Sequence, residues 1–141
     1  MIIDTQYYDR CIKTLQNAYQ RMREVTPSDI EYDIYRSACI KEFEIILEQS
    51  GKLLRKVLKP YFPSTKEVDK LRFKDVFRHS VLRSLITDEV CERWFIYRDN
   101  RNSTAHDYGV NFAEETLVLL PGFIEDAWQL SEVIKQQKHD S

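Results

Sequence analysis

Glycine and proline are scarce, three and four in 141 residues. So few turn-formers exclude a sandwich or barrel, and with 31% charged residues they favour long amphipathic helices. No apolar run approaches the roughly eighteen residues of a membrane span. The opening MIIDTQYYDR lacks the basic stretch and apolar run of a signal peptide. Cysteine is limited to Cys11, Cys39 and Cys91, an odd number at wide spacing. That argues against a disulfide framework or paired-cysteine metal site and for reduced, mostly buried thiols in a cytoplasmic protein. Histidine is limited to His79, His106 and His139, too scattered to build a metal site. A glycine-rich phosphate loop, GxSxG and HExxH are all absent. Asp29 and Asp33 resemble spaced magnesium-binding acids but lack a preceding Gly-Ser, and read as cap and surface. Asn102-Ser103-Thr104 matches the glycosylation sequon by chance, since nothing indicates secretion.

What is present is helical periodicity. Tyr8, Cys11, Ile12, Leu15, Tyr19 and Met22 mark one apolar stripe on a helix from Asp4 to Arg23. A second helix is expected from Thr26, with Pro27 in its first turn and Asp29 completing the cap, to Pro60. Ile30, Ile34, Ala38, Phe43, Ile46 and Leu47 begin its inward face, and Gly51 is a candidate bend. YFPST, 61 to 65, is the clearest break. A shorter helix follows near Arg72 to Ile86, with Phe73, Val76, Phe77, Val81 and Leu85 inward. A fourth is capped by Thr87 or Asp88, carries Val90, Trp94, Tyr97, Arg98 and Arg101, and stops near Gly109. The last runs from Phe112 to Gln137, and Pro121 predicts a kink or two consecutive helices. The expected fold is all-α, an up-and-down four-helix-type bundle with an additional short helix, in one domain over residues 1–141 with its core at about 4–135.

The net charge of −2 hides an asymmetry. Between Gly51 and Ser84 lie ten Lys and Arg against three acids, so that segment carries about +7 and the rest about −9. Such a stretch is either a solvated helix face or an attractor for phosphate or an acidic partner.

The polar string RDNRNSTAHDYG, 98 to 109, interrupts the helical pattern. Arginine is permanently charged and its planar fork matches a phosphate. Histidine exchanges protons near neutral pH. Arg101 and His106 together suit metal-free RNA cleavage: a base activates the ribose 2′-hydroxyl, a cation steadies the phosphorane, and an acid protonates the leaving oxygen. One histidine does not easily fill both proton-transfer roles, but two copies across a dimer axis do. On a regular helix Arg101 and Tyr108 share a face while residue 106 lies about 140° round from 101. Asn102, Ser103 and Thr104 are indifferent helix formers, so the helix is expected to loosen between 102 and 109 and turn His106 toward Arg101. The plainer alternative is that Arg98 and Arg101 form ion pairs, His106 satisfies a buried group and Tyr108 caps the core.

Arg101 to Tyr108 reads R-x4-H-x-Y, and in this the chain resembles HEPN proteins, in particular the HepT toxins and the related nucleotidyltransferase substrate-binding proteins. RSACIKEFEIILEQSGKLLRKVLK, 36 to 59, resembles that family's second helix. FKDVFRHSVLRSLITDEVCERWFIYRDNRN, 73 to 102, resembles its third helix, acidic cap and motif helix. The resemblance implies a homodimer with the motifs at the subunit interface and a cognate minimal nucleotidyltransferase as antitoxin. It implies a metal-independent endoribonuclease, needing no cofactor, whose catalytic residues are Arg101 and His106, with Asn102 in support. It implies Tyr108 as the residue on which the partner places AMP, silencing the toxin. The alternative it leaves open is a non-catalytic substrate-binding subunit of a nucleotidyltransferase. Ile45, Ile46 and Glu48-Gln49-Ser50-Gly51 depart from the aromatic, tryptophan-containing stretch that relatives often carry there.

Overall fold

The computed structural model describes residues 2–103 and 110–137. Every regular element among them is helical: α1 (Gln6–Glu24), α2 (Ile30–Leu58), α3 (Thr65–Asp69), α4 (Phe73–Leu82), α5 (Asp88–Ser103) and α6 (Val110–Lys135), with a 3-10 turn at Lys59–Tyr61. Cross-helix contacts fix the directions. The hydroxyls of Tyr8, early in α1, and Ser50, late in α2, are 2.9 Å apart, so the two helices are antiparallel. Trp94 and Tyr97 of α5 meet Phe123 of α6, while Asn100 meets Thr116, so that pair is antiparallel too. The Phe43 and Phe123 rings meet tilted with centroids 4.6 Å apart, and Asp9 of α1 receives Lys135 from the end of α6 at 2.8 Å, which makes α2 and α6 parallel. The result is an up-down-up-down bundle of α1, α2, α5 and α6, with α4 as the additional short helix against α2 and α5.

The α1 stripe is buried as its spacing predicts: Tyr8, Cys11, Ile12, Leu15 and Met22 are at most 5% exposed. The α2 stripe starts later than expected. Residues Thr26 to Asp29 close a turn, Asp29 N–H to the Thr26 carbonyl at 2.9 Å, and Asp29 becomes the N-cap of a helix that begins at Ile30. Ile30 and Ile34 are 73% and 58% exposed, not inward. The Tyr8–Ser50 pairing explains this: in antiparallel register α1 ends about level with residue 34, so the first turn of α2 outruns its neighbour. Gly51 does not end the helix, and α2 continues through it to Leu58. It is buried beneath Phe73, whose Cδ2 would lie 3.3 Å from any added Cβ.

The 61–65 break leads directly into α3, capped by Ser64, whose hydroxyl accepts from Glu67 N–H at 3.3 Å. The short helix α4 stops at Leu82, earlier than its apolar spacing suggests. Ser84 adopts φ 59°, and Leu85 N–H reaches the Ser80 carbonyl at 2.9 Å, a terminating motif usually made by glycine. Thr87 caps α5, accepting from Val90 N–H at 3.2 Å. Pro121 lies inside α6, one continuous helix instead of two. Its ring is exposed while Leu120 and Phe123 on either side are fully buried, so core packing holds the helix across the missing hydrogen bond.

No helix among the described residues is long and apolar enough to cross a membrane. All three cysteines are free and buried.

Candidate functional site at the end of the motif helix

The motif helix α5 is anchored by aromatic packing. Trp94, fully buried, stacks on Phe77 of α4 at 5.1 Å and meets Tyr97 and Phe123 edge-on at 5.4 and 5.6 Å. Beside this cluster is a polar clasp that the sequence reading missed. Arg93 grips Asp126 of α6 with two parallel bonds, Nε to Oδ2 at 2.8 Å and Nη2 to Oδ1 at 2.9 Å. The Tyr97 hydroxyl donates to the same Oδ2 at 2.5 Å. Asp126 is 4% exposed, so its charge depends on these donors. Burial, followed by the bond to Asp126, holds the Tyr97 phenol proton well above its ordinary range. A second clasp lies further along α5, where Asn100 Nδ2 donates to Thr116 Oγ1 at 3.0 Å, and Thr116 is fully buried. The two helices that enter and leave the motif are thus joined at two levels.

Arg101 stands in the last turn of α5, partly buried, with Nη2 4.0 Å from Glu44 Oε2 on α2. The backbone of Asn102 belongs to the same helix. The Asn102 side chain, His106, Tyr108 and Gly109 lie outside the described residues, as does most of the segment expected to loosen between 102 and 109.

The neighbours of Arg101 are strongly basic. Arg98, one turn earlier, lies with its guanidinium 5.0 Å from the centroid of the Phe73 ring. Its proton affinity is lowered, first by burial and then by the positive charges of Arg101 and Arg55, against a smaller opposing pull from Glu48. Asp99 forms an ion pair with Lys74 at 2.7 Å. Of Arg98 and Arg101, the two arginines that the plainer alternative put in ion pairs, Arg101 faces Glu44 at 4.0 Å while Arg98 lies over an aromatic ring. The signals were the Arg98–Arg101 spacing on α5 and the basic run across α4, whose meeting only packing revealed. Among the described residues no group of three His, Cys, Asp or Glu side chains could hold a metal ion.

Comparison with known proteins agrees with this architecture. A Haemophilus influenzae protein named probable ribonuclease HepT is 26% identical over 140 residues, covering 99% of this chain and 94% of that protein. A solved Haemophilus influenzae structure, described as revealing the fold of a substrate binding domain of a nucleotidyltransferase, matches with a TM-score of 0.80 at 25% identity, over 94% of this chain and all of that one. The family described as nucleotidyltransferase substrate binding protein like matches residues 4–136, and with nearly its whole length inside that match the chain belongs to this family.

Proposed function

We propose that the chain is a HEPN-type endoribonuclease, the toxin of a toxin–antitoxin pair, restrained by a cognate minimal nucleotidyltransferase that places AMP on Tyr108. The observation that carries this reading is Arg101, the arginine of R-x4-H-x-Y, held at the end of an anchored helix in a basic setting. The similarity to a protein named probable ribonuclease HepT supports it. His106 takes the proton from a ribose 2′-hydroxyl, whose oxygen attacks the adjacent phosphorus. Arg101 stabilises the charge on the phosphorane, the bond to the 5′-oxygen breaks, and the second subunit's copy of His106 protonates that oxygen. The products are a 2′,3′-cyclic phosphate and a free 5′-hydroxyl, with no metal required. Asn102 supports the site. Homodimerisation across α5 and α6 is part of the reading, because Ile96 and Val118 there are 54% and 80% exposed beside Asn100. Such a toxin acts in the cytoplasm.

The second reading is a non-catalytic substrate-binding subunit of a nucleotidyltransferase, favoured by the likeness to a solved structure described as a substrate binding domain of a nucleotidyltransferase. One experiment separates the two. The purified chain is incubated with RNA in EDTA, then with its partner, ATP and magnesium. Cleavage that disappears as Tyr108 gains AMP supports the toxin. Tight partner binding with no cleavage under any condition supports the subunit.

A further inference from the structure

A cleft of about 570 Å³ lies between α2, α4 and α5. Arg55, Arg72, Lys74, Arg78 and Arg98 line it from three separate elements. The carboxylates on its wall are Glu48 and Asp75. Asp75 is committed to Arg78 at 3.0 Å, and Lys74 to Asp99 at 2.7 Å. Arg55, Arg72 and Arg98 make no carboxylate contact within 4.0 Å among the described residues, so the cleft keeps an excess of positive charge. Two of these three are held in place by uncharged partners. Arg55 Nη2 donates to the Leu71 carbonyl at 2.8 Å, and Arg98 lies over Phe73. An aromatic neighbour does not neutralise the guanidinium, whose planar fork matches a phosphate. Phe73 packs closely on Gly51, where an added Cβ would come within 3.3 Å of the ring and push it by a few tenths of an ångström.

Burial and then the charge of Arg101 oppose the cationic form of Arg98, with Glu48 acting the other way and Arg55 adding to the opposition. An anion bound among these arginines would favour their charged forms. Arg98 and Arg101 are three positions apart on α5, about 4.5 Å along the axis and roughly 60° in azimuth, so the cleft adjoins the motif.

We propose that this cleft binds successive phosphodiester groups of single-stranded RNA and leads the strand to Arg101. The inference rests on the nuclease reading for what happens to the strand once it arrives. A concave cationic slot focuses the field on a flexible polyanion, whereas the carboxylates of a folded acidic partner are carried on a surface that does not enter it.

The test uses the full-length His106→Ala chain and a fluorescein-labelled 20-nucleotide mixed-sequence RNA, with binding followed by anisotropy from 50 to 300 mM NaCl. Adding Arg55→Gln and Arg98→Gln is expected to weaken binding at least tenfold and to flatten the log–log salt slope by about 1.4, at ~0.7 per lost phosphate contact on a single strand. Arg72→Gln, at an exposed position, should flatten it by about half as much and guards against misfolding of the double variant. Unchanged affinity and slope in the folded variants overturn the proposal. So does loss of nucleotidyltransferase binding with RNA binding intact, which assigns the cleft to a protein partner. A wild-type chain that binds RNA through these arginines yet never cuts it preserves the cleft and overturns the nuclease reading. Cleavage with arginine-independent binding does the reverse.

Discussion

Arg101 of α5 faces Glu44 of α2, with Nη2 4.0 Å from Oε2 and both side chains about one-third exposed. A pair this open and this long contributes little to stability, below about 1 kcal/mol. We therefore predict that Glu44→Gln leaves the melting temperature within about 5 °C of wild type and changes RNA cleavage by less than about tenfold. Arg101→Ala should instead lower kcat at least a hundredfold with the bundle intact. Circular dichroism melts and single-turnover cleavage check both, and equal loss of cleavage in the two variants contradicts the assignment.

His106→Ala is expected to abolish growth inhibition and reduce RNA cleavage by about 10²–10⁴-fold, the usual range for a lost proton-transfer group. The variant should sediment as wild type does. A fully toxic His106→Ala chain removes the histidine from the mechanism.

Tyr108→Phe deletes one hydroxyl and should keep cleavage while preventing neutralisation by the partner with ATP. Intact-mass spectrometry provides the readout: wild type gains AMP and Tyr108→Phe does not. Tyr97 is the contrasting tyrosine, since its hydroxyl is already bound to Asp126 inside the bundle. AMP appearing on Tyr108→Phe would refute the choice of residue.

Ser84 holds φ 59°, a left-handed conformation that costs a residue with a Cβ about 1–2 kcal/mol. Ser84→Gly relieves this strain but adds freedom to the unfolded chain, so the expected net gain is about 0.5–1 kcal/mol. Urea denaturation measures it. A destabilised Ser84→Gly would show that the serine side chain contributes more than the strain.

Burial pushes the Cys39 thiol up to about 11, from an ordinary value of 9.0. The folded state thus retains a proton that the unfolded state releases. The associated stability is complete below about pH 9 and is lost as pH rises toward 11. Urea unfolding at pH 8 and pH 10 should show a decline of about 1 kcal/mol attributable to this group, smaller in Cys39→Ala. The native thiol should also react slowly with a disulfide reagent at pH 8. Rapid labelling of Cys39 at that pH would contradict its burial.

Amphipathic stripes made the bundle legible, because three- and four-residue apolar spacing commits a face to burial whatever it packs against. Tyr8 to Met22 behaved in this way. The same rule misplaced Ile30 and Ile34, since periodicity carries no information about where a neighbouring helix ends. The helix α3 is legible as Ser64-x-x-Glu67, a capping signature that begins within the 61–65 break and runs past it. The Arg93–Asp126 clasp was not legible. Its partners are 33 positions apart, and each alone reads as an ordinary surface charge.

The sequence by itself determined the helical class and the motif positions Arg101, His106 and Tyr108, because periodicity and short spacing are local properties of the chain. Tertiary structure decided what surrounds Arg101. Folding α4 back over Gly51 sets Phe73 beneath Arg98 and brings Arg55 to the same cleft. A run of about +7 along the chain thereby becomes a concentrated field beside the motif helix, because electrostatic energy depends on distance in space and not along the sequence.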